Sequence, residues 1–482
     1  MAVERLRLRV ADAGRGGRVG WPVTQGVPFA DGELKRGASV RLVTAVGETL
    51  PVQAQCLATW GPDLKYVKWL LVDFQIDLEA GETGEIFLEY GADVEVGEPR
   101  EQIRVEREQG RIRVDTGPMQ VDFRMGDADF FAACRIRTGD SWRDIFRGRP
   151  GPYLYMVDQE GGRYDSHSAA PPPQVDVEEE GPVRTAILVR GFHASQEGHR
   201  FCPYVLRLHF CAGRSEIRCF HTFIFDQDPE RFELSEIAWR FPLDLGGDLR
   251  LAFGGEEKTH WARRFEEGQL LQTSDLSYAA TLDGESFGRG ERTNGWASLC
   301  GRDASVLVVL RDMWKEYPKA IGLDGNGVNV QIWPSKSSES LKFSTPFKET
   351  AVRFGGTRDE AEFKRLVEQE PTAPLNLKSL NATTREDLEW VAKMVARHAP
   401  GRPASYNDTG TDNGLGAAKT TEFLLHFAAD PVGDAEAERL AVCAQEPLIA
   451  PADPHYACAT GALRLLAPFD AEHFPEAEEG AR

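Results

Sequence analysis

"YVLRLHFCAGRSEIRCFHTFIF", residues 204–225, decides the fold class. With Gly213 and Arg214 as a two-residue turn, Leu206, Leu208 and Phe210 share a face with Ile217, Cys219 and Phe223, because side chains alternate between the two faces of a strand. The stretch is therefore a β-hairpin with one core face. His221 lies on that face.

The same patterning extends in both directions. "SVLVVLRD" (305–312) and "VNVQIWP" (328–334) read as buried strands, and the segment between them, inside "RDMWKEYPKAIGLDGNGVNVQIWP" (311–334), reads as a connection. Residues 96–356 are expected to form an antiparallel β-sandwich. Residues 1–95, with short strands such as "RLRLRV", "SVRLVTA" and "GEIFLEY" between Gly, Pro and Asp turns, are expected to form a small β barrel. The period changes at Thr357, where Thr357 and Glu360 have capping-box spacing and Pro371 stops a helix. A second box, Thr383 and Glu386, opens a helix with an apolar stripe of Leu388, Val391, Met394 and Val395, ending at Pro400-Gly401. Further helices are expected at 415–428 and 433–445. The chain thus reads as β and then α, with 357–482 as a helical segment.

Composition excludes several partners. A net charge of −20 and a pI near 5.1 argue against nucleic acid and anionic membranes, which need a basic face. No apolar run is long enough for a leader or a membrane span. Eight cysteines are scattered without a CxxC pair, several in apolar strands, which reads as free thiols in a reducing, cytoplasmic setting. An acidic small substrate would need a local cationic pocket.

"WPVTQGVPFADGEL" (21–34) and "LATWGPDLKYVKWLLVDFQ" (57–75) resemble the RIFT-type N-terminal barrel of the exo-rhamnogalacturonan lyase family. "GHRFCPYVLRLHFCAGRSEIRCFHTFIFDQDP" (198–229), the 311–334 stretch and "YNDTGTDNGLGAAKTTEFLLHF" (406–427) resemble its central sandwich and the entry to its C-terminal α/α toroid. The resemblance implies a barrel, a sandwich and a toroid of which only about 110 helical residues are present. It further implies weak or no lyase activity here, because a helical hairpin lacking its neighbours would leave Leu424, Leu425 and Phe427 in water.

β-Elimination at a 4-linked uronate needs a cation on the C6 carboxylate, a base for the C5 proton and an acid for the leaving oxygen. Arg suits the first task, and Lys, His or Tyr the others once their pKa values move toward neutrality. His221, Tyr317 and Lys319 are the candidate catalytic residues; Arg311, Trp314, Trp333, Tyr406, Asn407 and Asp408 are candidates for substrate binding. Each has a plainer reading. The aromatics suit core packing, Arg311 and Lys319 suit ion pairs with Asp312, Glu316 or Asp324, and His221 suits the core. His199 and His209 are weaker cleft candidates. Tyr406–Asp408 suit turn and cap chemistry, and Lys419 and Glu422 suit a helical i,i+3 pair. No cofactor is implied. The Asp/Asn/Gly order of "NDTGTDNG" suggests calcium but departs from the loop template. The expected partner is an oligosaccharide or uronate-containing glycan, and a second copy or a helical partner is possible. The alternatives to a polysaccharide lyase are a non-catalytic carbohydrate-binding or scaffolding protein and a glycoside hydrolase on the same architecture.

Overall fold

The computed structural model describes residues 3–14, 16–91, 94, 102–229, 231–337, 339–346, 359–369, 375–376, 385–400, 404–405 and 411–480. Two antiparallel sheets come first. One orders Glu4–Ala11, Thr83–Tyr90, Val40–Thr44 and Thr49–Leu50; the other orders Arg18–Pro28, Tyr66–Leu78 and Val52–Trp60. Alternate residues such as Leu8, Val10, Val23, Phe29, Val72, Phe74 and Leu88 turn inward, so the two sheets share one core.

A five-stranded meander from Arg104–Glu108 to Ser141–Asp144 then packs on a much larger antiparallel sheet that begins at Tyr153–Asp158 and curls back on itself. Val121, Phe123 and Phe131 of the meander meet Leu206, Leu208, Phe210, Trp239 and Phe241 of the large sheet in one core. This is a β-sandwich, and the fold is mostly β. The 204–225 hairpin has the expected register, with Phe210 opposite Ile217, Leu208 opposite Cys219 and Leu206 opposite His221.

Two expectations fail, each for a definable reason. The segment between 312 and 328 is not only a connection. Lys319–Asp324 is a strand, hairpinned to Gly327–Trp333 and also paired with Glu267–Ser274. Gly327 makes this possible: its φ is +135°, and a Cβ there would lie 2.0 Å from the Phe241 carbonyl oxygen.

The second failure is larger. Residues 418–428 form a strand, Ala418–Ala428, and not a helix. It lies between Glu216–Ile224 and Ser305–Leu310, pairing Leu425 with both Ile217 and Val308. Thr421, Phe423, Leu425 and Phe427 point into the sandwich core, while Leu424 points the other way, into the core shared with the N-terminal sheets. A strand buried on both faces shows a continuous apolar run, which local periodicity does not distinguish from a helix. The supposed i,i+3 pair of Lys419 and Glu422 therefore sits on opposite faces. The exposed apolar stripe that implied weak activity does not exist, since Leu424, Leu425 and Phe427 are buried.

Helices Glu360–Gln369 and Arg385–His398 pack through Phe363, Val367, Val391 and Met394. Thr357, Pro371, Thr383 and Gly401 lie outside the described residues. Helix Asp434–Gln445 sets Leu440, Ala441 and Cys443 against the N-terminal core. There the buried Arg18 pairs with Asp12 at 2.7 Å and donates to the Glu446 carbonyl at 2.9 Å, tying the helix end to the first strands.

Candidate functional site

Lys319 opens the site. It shares strand parity with the buried Ile321 and Leu323, so its side chain points to their face of the large sheet, beside Phe223, Ile237 and Ile332, where it is 3% exposed. Its ammonium donates to the Ile332 carbonyl at 3.3 Å and lies 3.5 Å from the Thr421 hydroxyl and 3.7 Å from the Glu316 carboxylate. Burial, reinforced by the nearby Lys419 charge and opposed by Glu316, pushes its pKa down from the ordinary 10.5 to about 8.

Around it lies a cavity of about 370 Å³. Phe223, Ile237 and Ile332 line it with the loop residues Leu341 and Phe343, and Phe343 is stacked on Phe225 at 3.7 Å. Tyr317 and Trp333 also line it; Tyr317 is 45% exposed at the rim, and the Trp333 indole N–H is buried without a partner. Glu316 bridges two cations, reaching Lys419 at 2.8 Å as well as Lys319, while Lys315 is answered by Asp312 at 2.7 Å. Two lysines against one carboxylate leave a positive excess. An otherwise acidic chain thus has a cationic pocket with aromatic walls, which suits a flat, hydroxylated, negatively charged ligand.

The sequence candidates divide as follows. Tyr317, Lys319 and Trp333 come together in this pocket. His221 lies one row further in, across the ladder from Thr421. It is 1% exposed, neither ring nitrogen has a hydrogen-bond partner, and burial together with His193 and Lys319 pushes its pKa down to about 3. It is a neutral core residue behind the pocket and not a base open to it. Arg311 belongs elsewhere: it bonds Glu422, while Lys319 contacts Thr421, and consecutive residues of one strand face opposite ways. Trp314 carries the Arg292 guanidinium over its ring at 4.2 Å and lies outside the pocket lining. His209 lines the cavity that holds Arg311, and His199 an open surface hollow near Gly162–Asp165. Tyr406, Asn407 and Asp408 lie outside the described residues, as does the first half of the calcium-like stretch, while Thr411–Asn413 is a short strand. Among the described residues no cluster of three or more His, Cys, Asp or Glu side chains is placed to hold a metal, and no helix is long and apolar enough to cross a membrane. All eight cysteines are free.

Glu316 and Lys419 were missed as pocket residues. Lys419 was hidden by the helical reading of its segment, and only its parity with Thr421 in a strand would have placed it.

Residues 103–273 match the family model of the PcRGLX-like protein central beta sandwich domain. That supports the resemblance to rhamnogalacturonan lyase-like proteins at the level of this sandwich. The uncharacterized protein YetA of Bacillus subtilis (strain 168) is 24% identical, over 69% of this chain and 45% of its own length. Among solved structures, a glycosyl hydrolase family 38 protein from Enterococcus faecalis is similar with a TM-score of 0.51 at 8% identity, over 93% of this chain and 47% of that one. An alpha-mannosidase from Enterococcus faecalis V583 is similar with a TM-score of 0.50 at 9% identity, over 93% and 46% respectively. At such identities the likeness concerns the fold. The chain spans about half the length of these proteins.

Proposed function

We propose that the chain is a carbohydrate-active protein that takes a uronate-containing oligosaccharide of the rhamnogalacturonan class into the Lys319 pocket and cleaves it by β-elimination. In this reading the N-terminal sheets are the RIFT-type barrel of a lyase-like protein. One observation carries the proposal: a buried lysine, held by neutral hydrogen bonds longer than 3.2 Å, opens on a cavity that also presents a tyrosine hydroxyl, a tryptophan face and a second lysine.

Each residue has a task. Lys419 binds the C6 carboxylate and withdraws charge from C5. Lys319 in its neutral form, about a tenth of the population at pH 7 for a pKa near 8, takes the C5 proton. The electron pair left behind forms the C4–C5 double bond as the C4–O bond breaks, and Tyr317 gives its hydroxyl proton to the leaving oxygen. Trp333 supplies the flat face against which the ring stacks. Hydrolysis is less well served, because it uses a pair of carboxyl groups across the bond and the described lining contains a single one, Glu316.

The test is turnover of rhamnogalacturonan oligosaccharides, followed by ultraviolet absorbance of the unsaturated product. The expected outcome is a rate of about 1 per second or more, reduced about 100-fold or more in Lys319→Met. New reducing ends without absorbance would replace elimination by hydrolysis, and saturable binding without turnover would make this a binding protein.

A further inference from the structure

A second cavity lies on the other face of the Ala418–Ala428 strand, where the N-terminal sheets, the large sheet and helix Asp434–Gln445 meet. Its volume is about 220 Å³, below the range of drug-sized ligand pockets, so it admits only a small molecule. One side is apolar, with Val309, Leu424, Ala444 and Leu448. Arginines flank this apolar patch, Arg218 lying directly across the ladder from Leu424.

Their pairing is uneven. Arg184 faces two carboxylates, Asp73 and Glu179, and Arg214 faces Glu216 at 2.8 Å. Arg218 and Arg311, however, hydrogen-bond one carboxylate between them: Glu422 accepts from Arg218 Nε at 2.5 Å through one oxygen and from Arg311 Nη1 at 2.7 Å through the other. Asp312 approaches Arg311 Nε at 3.5 Å without hydrogen-bond geometry and is itself held by Lys315, so this Nε is buried and unsatisfied. The Arg218 guanidinium lies over the Phe220 ring at 5.0 Å, but its two terminal nitrogens and Nη2 of Arg311 make no hydrogen bond among the described residues. Beside them His209 is held neutral, its pKa pushed down to about 3 by burial and by Arg184, Arg218 and Arg207. A neutral imidazole offers a hydrogen bond without adding charge.

Two guanidiniums with spare N–H groups, which share Glu422 and have only Asp312, divided with Lys315, as a further counter-charge, form an incomplete anion site, since planar forks bind carboxylates in pairs of hydrogen bonds. We infer that this cavity binds a small hydroxylated carboxylate, of the uronic acid class, through Arg218 and Arg311, with its ring against the apolar wall. The site is separate from the Lys319 pocket and does not depend on the reaction proposed there. Its ligand touches all three parts of the described chain that meet at the cavity.

The test is calorimetric titration of the whole chain with free galacturonate, using galactose as the uncharged control. Galacturonate is expected to bind saturably at or below about 10 mM while galactose does not. Arg311→Met is expected to weaken binding about tenfold or more. Ala444→Phe, which fills the cavity and leaves both guanidiniums in place, is expected to abolish it, and Lys419→Met, which removes the carboxylate-binding cation of the other pocket, to leave it unchanged. An equal response to galactose, no saturation in the unmodified chain, or a loss caused by Lys419→Met but not by Arg311→Met would each overturn the inference. Since Lys419→Met removes carboxylate binding only in the other pocket, failure here and failure of the elimination reading are distinguishable.

Discussion

Replacing Lys319 by methionine should remove activity and make the protein more stable near neutral pH. A lysine that ordinarily titrates near 10.5 titrates here near 8 because burial disfavours its charged form. At about 1.4 kcal/mol for each tenfold change in proton affinity, the folded chain bears about 3 kcal/mol to keep this lysine charged. The direction with pH follows from proton counting. Between about pH 8 and 10.5 the unfolded chain binds more protons at this residue than the folded one, so folding becomes more favourable as pH rises through that window. Below pH 8 the lysine is charged in both states and the full cost is present; above 10.5 it is neutral in both and the cost is gone. Methionine fills a similar volume and carries no such cost, but it forfeits the bonds to Ile332 and Thr421, about 1 kcal/mol together. The net expectation is a variant about 2 kcal/mol more stable at pH 7, with the advantage lost by pH 10.5. Urea unfolding of both proteins at the two pH values measures the difference and cancels the other titrating groups. A variant less stable than the parent at pH 7, or a difference that does not change with pH, would refute the reasoning.

Three further outcomes are expected. Phe423→Ala removes a ring that is 1% exposed and lies 5.6 Å from Trp239 in an edge contact, so unfolding should be easier by about 3–5 kcal/mol; a loss below about 1 kcal/mol would contradict the burial of this strand. Arg18→Met leaves Asp12 buried without its partner and should cost about 3–5 kcal/mol, with earlier hydrogen exchange in helix Asp434–Gln445. Tyr317→Phe should lower kcat about 100-fold or more and shift stability by less than about 0.5 kcal/mol, because the ring sits at an exposed rim.

Much of the sandwich could be read from single residues. The alternation through Leu206, Leu208, Phe210, Ile217 and Cys219 set both the strands and the register of the hairpin, because a core on one face and a two-residue turn leave one pairing. The failure at 418–428 has the opposite cause. That strand pairs with Glu216–Ile224, about 200 positions earlier, and two-sided burial erases the alternation that would have announced it. Lys319, Tyr317 and Trp333 could be grouped because they flank one hairpin. Arg311 could not be separated from them, since the face it takes is fixed by Glu422 on the misread strand. His221 was legible as a core residue, and the structure gives it that place, with no opening to the pocket.

The central claim is that the pocket around Lys319 is where a sugar is handled. A crystal structure of the chain carrying Lys319→Met, grown with a rhamnogalacturonan oligosaccharide, tests it most directly. The account predicts a uronate ring against Trp333, its carboxylate at Lys419 and its glycosidic oxygen within hydrogen-bonding reach of Tyr317. Density for the sugar on any other surface, with this pocket empty at saturating ligand, would contradict it.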